Sequence, residues 1–138
     1  MSLPKILIVD DDESVQISLA LLLKQNGYAT ATCDEPSQAL ALLEQETFSL
    51  ALLDMNFSLE TTGEEGLALM AEIHRRQPEL PVLLMTAWGS IALAVRGVKA
   101  GAADFFTKPW DNASLLQLIQ TTLSLRTEET SSRLTRQA

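Results

Sequence analysis

The residues with chemical capability stand at the ends of apolar runs. Leu50-Ala51-Leu52-Leu53 stops on Asp54, and Lys5-Ile6-Leu7-Ile8-Val9 stops on Asp10-Asp11-Asp12-Glu13. Pro81-Val82-Leu83-Leu84-Met85 ends on Thr86, and Asp104-Phe105-Phe106-Thr107 leads into Lys108-Pro109. Carboxylates gathered in a small site repel one another and bind protons more tightly unless a cation is present. A hard divalent cation such as Mg²⁺ relieves that repulsion, since it takes oxygen ligands, keeps several waters and needs only a few carboxylates and a backbone carbonyl from the protein. Lys108 would add a mobile positive charge and Thr86 a hydroxyl donor. Such a set suits phosphoryl transfer, in which positioning and charge neutralisation dominate and an aspartate can be the acceptor. The product on Asp54 would be an acyl phosphate. Each residue alone has a plainer role: Asp54 a polar strand end, Asp11 a helix cap, Thr86 a strand residue, Lys108 a surface charge. Their joint placement at the ends of separate strands is what argues for chemistry.

The elements that must position this set alternate along the chain. The runs at 5–9, 50–54 and 81–86 are short and continuously apolar, the pattern of strands buried on both faces of a parallel sheet. Residues 28–33 alternate and carry two threonines, which suits a strand nearer the sheet edge, and 104–107 form a short fifth strand. Between them lie helical spacings. Val15, Leu19, Leu22 and Leu23 follow Asp12 as a candidate N-cap and end at Asn26-Gly27. Glu35-Pro36 starts a second helix with Leu40 and Leu43 inward, and Leu67, Met70 and Ile73 mark a third that Gln77-Pro78 stops. Ile91, Ala94, Val95 and Val98 line a fourth that gives way at Ala100-Gly101; Leu115, Leu116, Ile119 and Leu123 stripe the last. Strict alternation with short connections implies right-handed crossovers. The expected fold is α/β, a doubly wound, flavodoxin-like three-layer α/β/α sandwich on a five-stranded parallel sheet of order 2-1-3-4-5. In that topology Asp10, Asp11, Asp54, Thr86 and Lys108 share one edge, where open parallel sheets place ligands.

At 138 residues the chain accommodates one domain with a full core. Apolar residues make up 46%, yet no uninterrupted stretch approaches a bilayer's thickness, and no basic region followed by an apolar segment opens the chain. A soluble, cytoplasmic protein is expected. Cys33 is the sole cysteine and His74 the sole histidine, a poor basis for a zinc or thiol-redox site. A net charge of −8 opposes phosphate-backbone attraction, so direct nucleic-acid binding by this segment is not expected. From Arg126 onward Leu134 is the only large apolar residue, so 126–138 reads as a frayed helix end or a linker toward a domain absent from this chain.

The motifs Ile-Val-Asp-Asp-Asp at 8–12, Leu-Leu-Asp-Met-Asn at 52–56, Met-Thr-Ala at 85–87 and Phe-Phe-Thr-Lys-Pro at 105–109 resemble those of the response-regulator receiver domain of two-component systems. The resemblance spans about residues 4–125. It implies that Asp54 is the phosphoacceptor, that Asp11 binds Mg²⁺ with help from Asp10, and that the backbone carbonyl of Asn56 completes the protein ligands. It further implies that Thr86 binds the phosphoryl group, that Lys108 pairs with it, that Phe105 is the switch aromatic, and that Lys108-Pro109 is a cis peptide. The phosphodonor would be a histidine kinase. The Asn56-Phe57-Ser58 stretch and the segment from Leu84 to Ser90 are most similar to receivers of NtrC-like transcriptional activators, whose output is an AAA+ ATPase followed by a helix-turn-helix. Phosphorylation is expected to draw Thr86 toward the new oxygens, let Phe105 fill the vacated space and promote a homodimer through the fourth helix and its neighbour.

One departure from the family pattern is plain. Residues 57–66 lack the usual proline and look a few residues longer, a change that loop entropy tolerates cheaply. Asn56 and Trp88 stand two residues past Asp54 and Thr86, where a side chain can orient or exclude a hydrolytic water. Asn56 can hydrogen-bond such a water, whereas Trp88 either shields the phosphate or faces outward as a partner-binding aromatic. Rival readings are a degenerate receiver serving as a docking module and a haloacid-dehalogenase-type phosphohydrolase, which wants a second acid where Asn56 stands.

Overall fold

The computed structural model describes residues 3–55, 64–87 and 91–137, with side chains as far as Leu125. Five strands form one parallel sheet in the order β2-β1-β3-β4-β5. The inner strands β1 (Lys5–Val9), β3 (Leu50–Asp54) and β4 (Val82–Ala87) are the continuous apolar runs, and almost every residue in them is buried. Strands β2 (Ala29–Cys33) and β5 (Asp104–Lys108) form the edges and are largely half-exposed.

Because successive strand residues point to opposite faces, each inner strand feeds two cores. Leu7, Val9, Ala51, Leu53, Val82 and Leu84 pack against Ala39 and Leu43 of α2 (Pro36–Gln45) and Leu69, Met70 and Ile73 of α3 (Glu64–Arg76). Ile6, Ile8, Leu50, Leu52, Leu83 and Met85 pack against Leu19 and Leu23 of α1 (Glu13–Gln25) and Leu115 and Ile119 of α5 (Asn112–Gln137). The expected doubly wound sandwich and its strand order are therefore present. Local signals act where they stand: Asp12 caps α1 by accepting from the Ser14 amide at 2.9 Å, Gly27 follows that helix at φ 89°, and Pro36 opens α2.

Helix α4 (Ile91–Lys99) packs differently from its hydropathy. Of the four apolar residues that line it, Ala94 is buried, while Ile91, Val95 and Val98 are exposed. The second buried residue is Gly97, where a Cβ would stand 2.3 Å from Leu84 Cδ1. α4 is seated on the core through Ala94 and Gly97, with Leu93 half-buried against the same core cluster.

Gly66, in the first turn of α3, faces main chain rather than a side chain, at the residue that follows β3. A Cβ there would lie 2.8 Å from the Met55 carbonyl oxygen and 3.0 Å from its Cα, and backbone cannot swing aside. Gly66→Ala is expected to destabilise the fold by about 1–3 kcal/mol, the usual cost of overpacking, measured by urea unfolding. At the end of β2, burial first and the charge of Asp34 second push the Cys33 thiol up to about 11, against a weaker opposing hydrogen bond from the Glu35 amide. Thiolate is the reactive form, so reaction of the native protein with a disulfide reagent at pH 8 should be slow, should quicken with rising pH, and should become fast on adding denaturant.

Candidate functional site

Sheet register decides which side chains meet. Val9 pairs with Leu53, Asp54 with Met85, Thr86 with Thr107 and Ala87 with Lys108. Asp10 and Asp54 thus leave adjacent strands at the same level, and Thr86 and Lys108 follow on the next two. Strands β1 and β3 are neighbours in the sheet although β2 separates them in the chain, which is where a doubly wound sheet opens its crevice.

Asp10 has no exposed surface, Thr86 none and Asp54 2%, whereas Asp11 is exposed. One carboxylate oxygen each from Asp10, Asp11 and Asp54 can be chosen so that all three lie within 4.8 Å of one another. Lys108 answers this charge from β5. Its Nζ donates to Asp10 Oδ2 at 2.6 Å and stands 3.4 Å from Asp54 Oδ1. Burial alone would pull the Lys108 ammonium down. The hydrogen bond to Asp10 and the charges of Asp54 and Asp10 together outweigh burial, so its proton is held above the ordinary lysine range. Three carboxylates against one ammonium still leave two negative charges uncompensated.

The remaining expected residues have definite places. The Thr86 hydroxyl lies 3.5 Å from the Ala87 carbonyl, at the buried end of β4. Phe105 is half-buried against the α2/α3 core, and Phe106, on the opposite face, meets Trp110 edge-on with centroids 6.1 Å apart. The Lys108-Pro109 peptide bond is cis. Asn56 and Trp88 lie outside the described residues, as do 57–63 of the long loop; Glu64, Glu65 and Gly66 already belong to α3.

Two contributors escape a reading by residue type. The amide of Asp12 donates to Asp10 Oδ1 at 2.8 Å, so the helix cap also holds the buried acid. Gln16 Nε2 donates to the Asp10 carbonyl at 2.5 Å and approaches the Cys33 carbonyl at 3.3 Å. Its sequence signal is a polar residue at the spacing of Leu19 and Leu23, on the packed face of α1.

Comparison with known proteins gives a consistent picture. The family model for the response regulator receiver domain matches residues 6–120. The chain is 39% identical over 129 residues to the response regulator protein PilR of Pseudomonas aeruginosa, covering 94% of this chain and 28% of that protein. Among solved structures, NtrX from Brucella abortus superposes with a TM-score of 0.88 at 30% identity, covering 96% of this chain and 29% of the other. The N-terminal signal receiver domain of a two-component response regulator from Bacteroides fragilis is 44% identical with a TM-score of 0.79, covering 88% of this chain and 98% of the other. The chain spans about a quarter of the length of the curated relatives it matches.

Lys108 Nζ is hydrogen-bonded to Asp10 and stands 3.4 Å from Asp54, so one ammonium partners two buried carboxylates. Lys108→Met should therefore cost about 3–5 kcal/mol at pH 8 without divalent cations, the penalty of leaving a buried charge without its partner. Denaturant titrations of the variant against wild type measure the loss.

Proposed function

This chain belongs to the response-regulator receiver family and is the receiver domain of a two-component response regulator; from that membership we propose that it accepts a phosphoryl group on Asp54 from a histidine kinase in a Mg²⁺-dependent reaction. The observation that carries the proposal is the placement of Asp54: nearly buried at the end of β3, beside two further carboxylates and 3.4 Å from an ammonium.

The donor set suits the metal. Three carboxylates offer hard oxygens, no thiolate or imidazole competes among them, and two charges await compensation. Asp11 and Asp54, supported by Asp10, would hold the ion, with the carbonyl of Asn56 as a further ligand. Bound there, the ion supplies charge neutralisation at the transferring oxygens. The rest belongs to the chain. An Asp54 oxygen attacks phosphorus as the bond from phosphorus to the donor's imidazole nitrogen breaks, and the imidazole leaves with its electron pair. Lys108, already protonated between Asp10 and Asp54, offers its ammonium to a phosphoryl oxygen, and the Thr86 hydroxyl donates to another. Asn56 and Trp88 would set how fast water later removes the group.

The readout follows from packing. Movement of Thr86 toward the phosphoryl group, with Phe105 filling the vacated space, would repack α4, whose exposed Ile91, Val95 and Val98 suit association with a second copy. Residues 4–125 would form the receiver, with 126–138 leading toward an AAA+ and helix-turn-helix output in the cytoplasm. No helix among the described residues is long and apolar enough to cross a membrane. Intact-mass spectra after acetyl phosphate and Mg²⁺ should show one added phosphoryl group on wild type and none on Asp54→Asn or in EDTA. Equal labelling of wild type and Asp54→Asn would overturn the assignment.

A further inference from the structure

Asp10 and Asp11 stand one and two residues beyond the last pair of the β1 ladder, Val9 with Cys33, so the sheet no longer fixes their backbone. One main-chain hydrogen bond still ties this turn to the edge strand: the Asp10 amide donates to the Cys33 carbonyl at 3.1 Å. From the geometry around it we infer that Gln16 is a positioning residue for the acid cluster, its side-chain amide clamping the turn that carries Asp10 and Asp11 to the end of β2. The inference rests on the Mg²⁺-dependent reading of the site given above.

The chemistry of a primary amide fits the task. It carries two N–H donors on one nitrogen, and Gln16 Nε2 aims at two carbonyls, Asp10 at 2.5 Å and Cys33 at 3.3 Å. The turn is closed from the other side by the Gln16 main chain, whose amide donates to the Asp12 carbonyl at 3.1 Å, and by the Asp12 amide on Asp10 Oδ1. Gln16 thus joins three pieces: the acid turn, the first turn of α1 and the end of β2. Asp10 is held at its amide, its carbonyl and both carboxylate oxygens, the last by Lys108. Asp11 follows directly, and the carbonyl that Gln16 anchors belongs to the peptide joining Asp10 to Asp11. Groups that orient ligands without touching the metal typically account for 10–100-fold in affinity.

The test compares Gln16→Met, which keeps the stem and removes both donors, with Gln16→Arg, whose guanidinium restores N–H donors to paired carbonyls. Mg²⁺ binding is measured by calorimetry, and acetyl phosphate labelling is followed across Mg²⁺ concentrations. Gln16→Met should bind Mg²⁺ roughly tenfold more weakly, label more slowly at low Mg²⁺ and recover its rate at saturating Mg²⁺, while Gln16→Arg should bind Mg²⁺ more tightly than Gln16→Met. Leu43→Ala, a core truncation in α2, should lower thermal stability and leave Mg²⁺ affinity unchanged. Gln16→Ala gives a second reading should the methionine variant not fold. Wild-type Mg²⁺ affinity in folded Gln16→Met or Gln16→Ala overturns the inference alone. A wild-type chain that neither binds Mg²⁺ nor labels overturns the underlying reading as well.

Discussion

Two carboxylates out of contact with solvent, Asp10 and Asp54, share their edge of the sheet with a single ammonium, and much of the structure follows from that arrangement. Like charges about 4 Å apart repel by about 4 kcal/mol at the dielectric typical of a protein surface. That is a large share of the roughly 5–15 kcal/mol that holds a domain folded. Lys108 can offset it because β5 lies at the sheet edge, where a long side chain reaches back across the strand ends while its own strand stays half-exposed. The same ammonium leaves the site short of positive charge, which is the condition for holding a divalent cation.

A polar site in this position is compatible with two dry cores because it begins where the ladders end. Ile6 to Val9 and Leu50 to Leu53 are fully enclosed, and the acids of the site stand at the last residue of β3 and just past the end of β1. Asp12 serves both domains of the problem, as its side chain caps α1 and its amide steadies Asp10. Among the described residues no buried side-chain polar atom lacks a partner. Fold and site are thus built from the same few residues at each strand end.

The inner strands were legible because burial on both faces demands continuous apolar runs, and the acids and Thr86 stood out by ending them, while Lys108 was marked by its place after the short edge strand. Helix α4 was legible as a helix but not in its packing. Hydropathy picks out Ile91, Val95 and Val98, whereas the residue that sets the approach is Gly97, which has no side chain to weigh. Gln16 was invisible for a related reason. Its partners are backbone carbonyls of Asp10 and Cys33, and carbonyls carry no signature in residue type. The close seat of α3 likewise depends on what Gly66 lacks.

The two glycines around Met55 differ in what sequence change they would tolerate over generations. At Gly97 the obstacle is the tip of the Leu84 side chain, so a larger residue there has a possible companion change, a shorter side chain at 84. The pair can drift together. At Gly66 the obstacle is the main chain of Met55, the residue directly after Asp54, and no substitution at any position removes a carbonyl or a Cα. Position 66 therefore has no compensating partner. A lineage that keeps this approach of α3 to Met55 must keep its glycine.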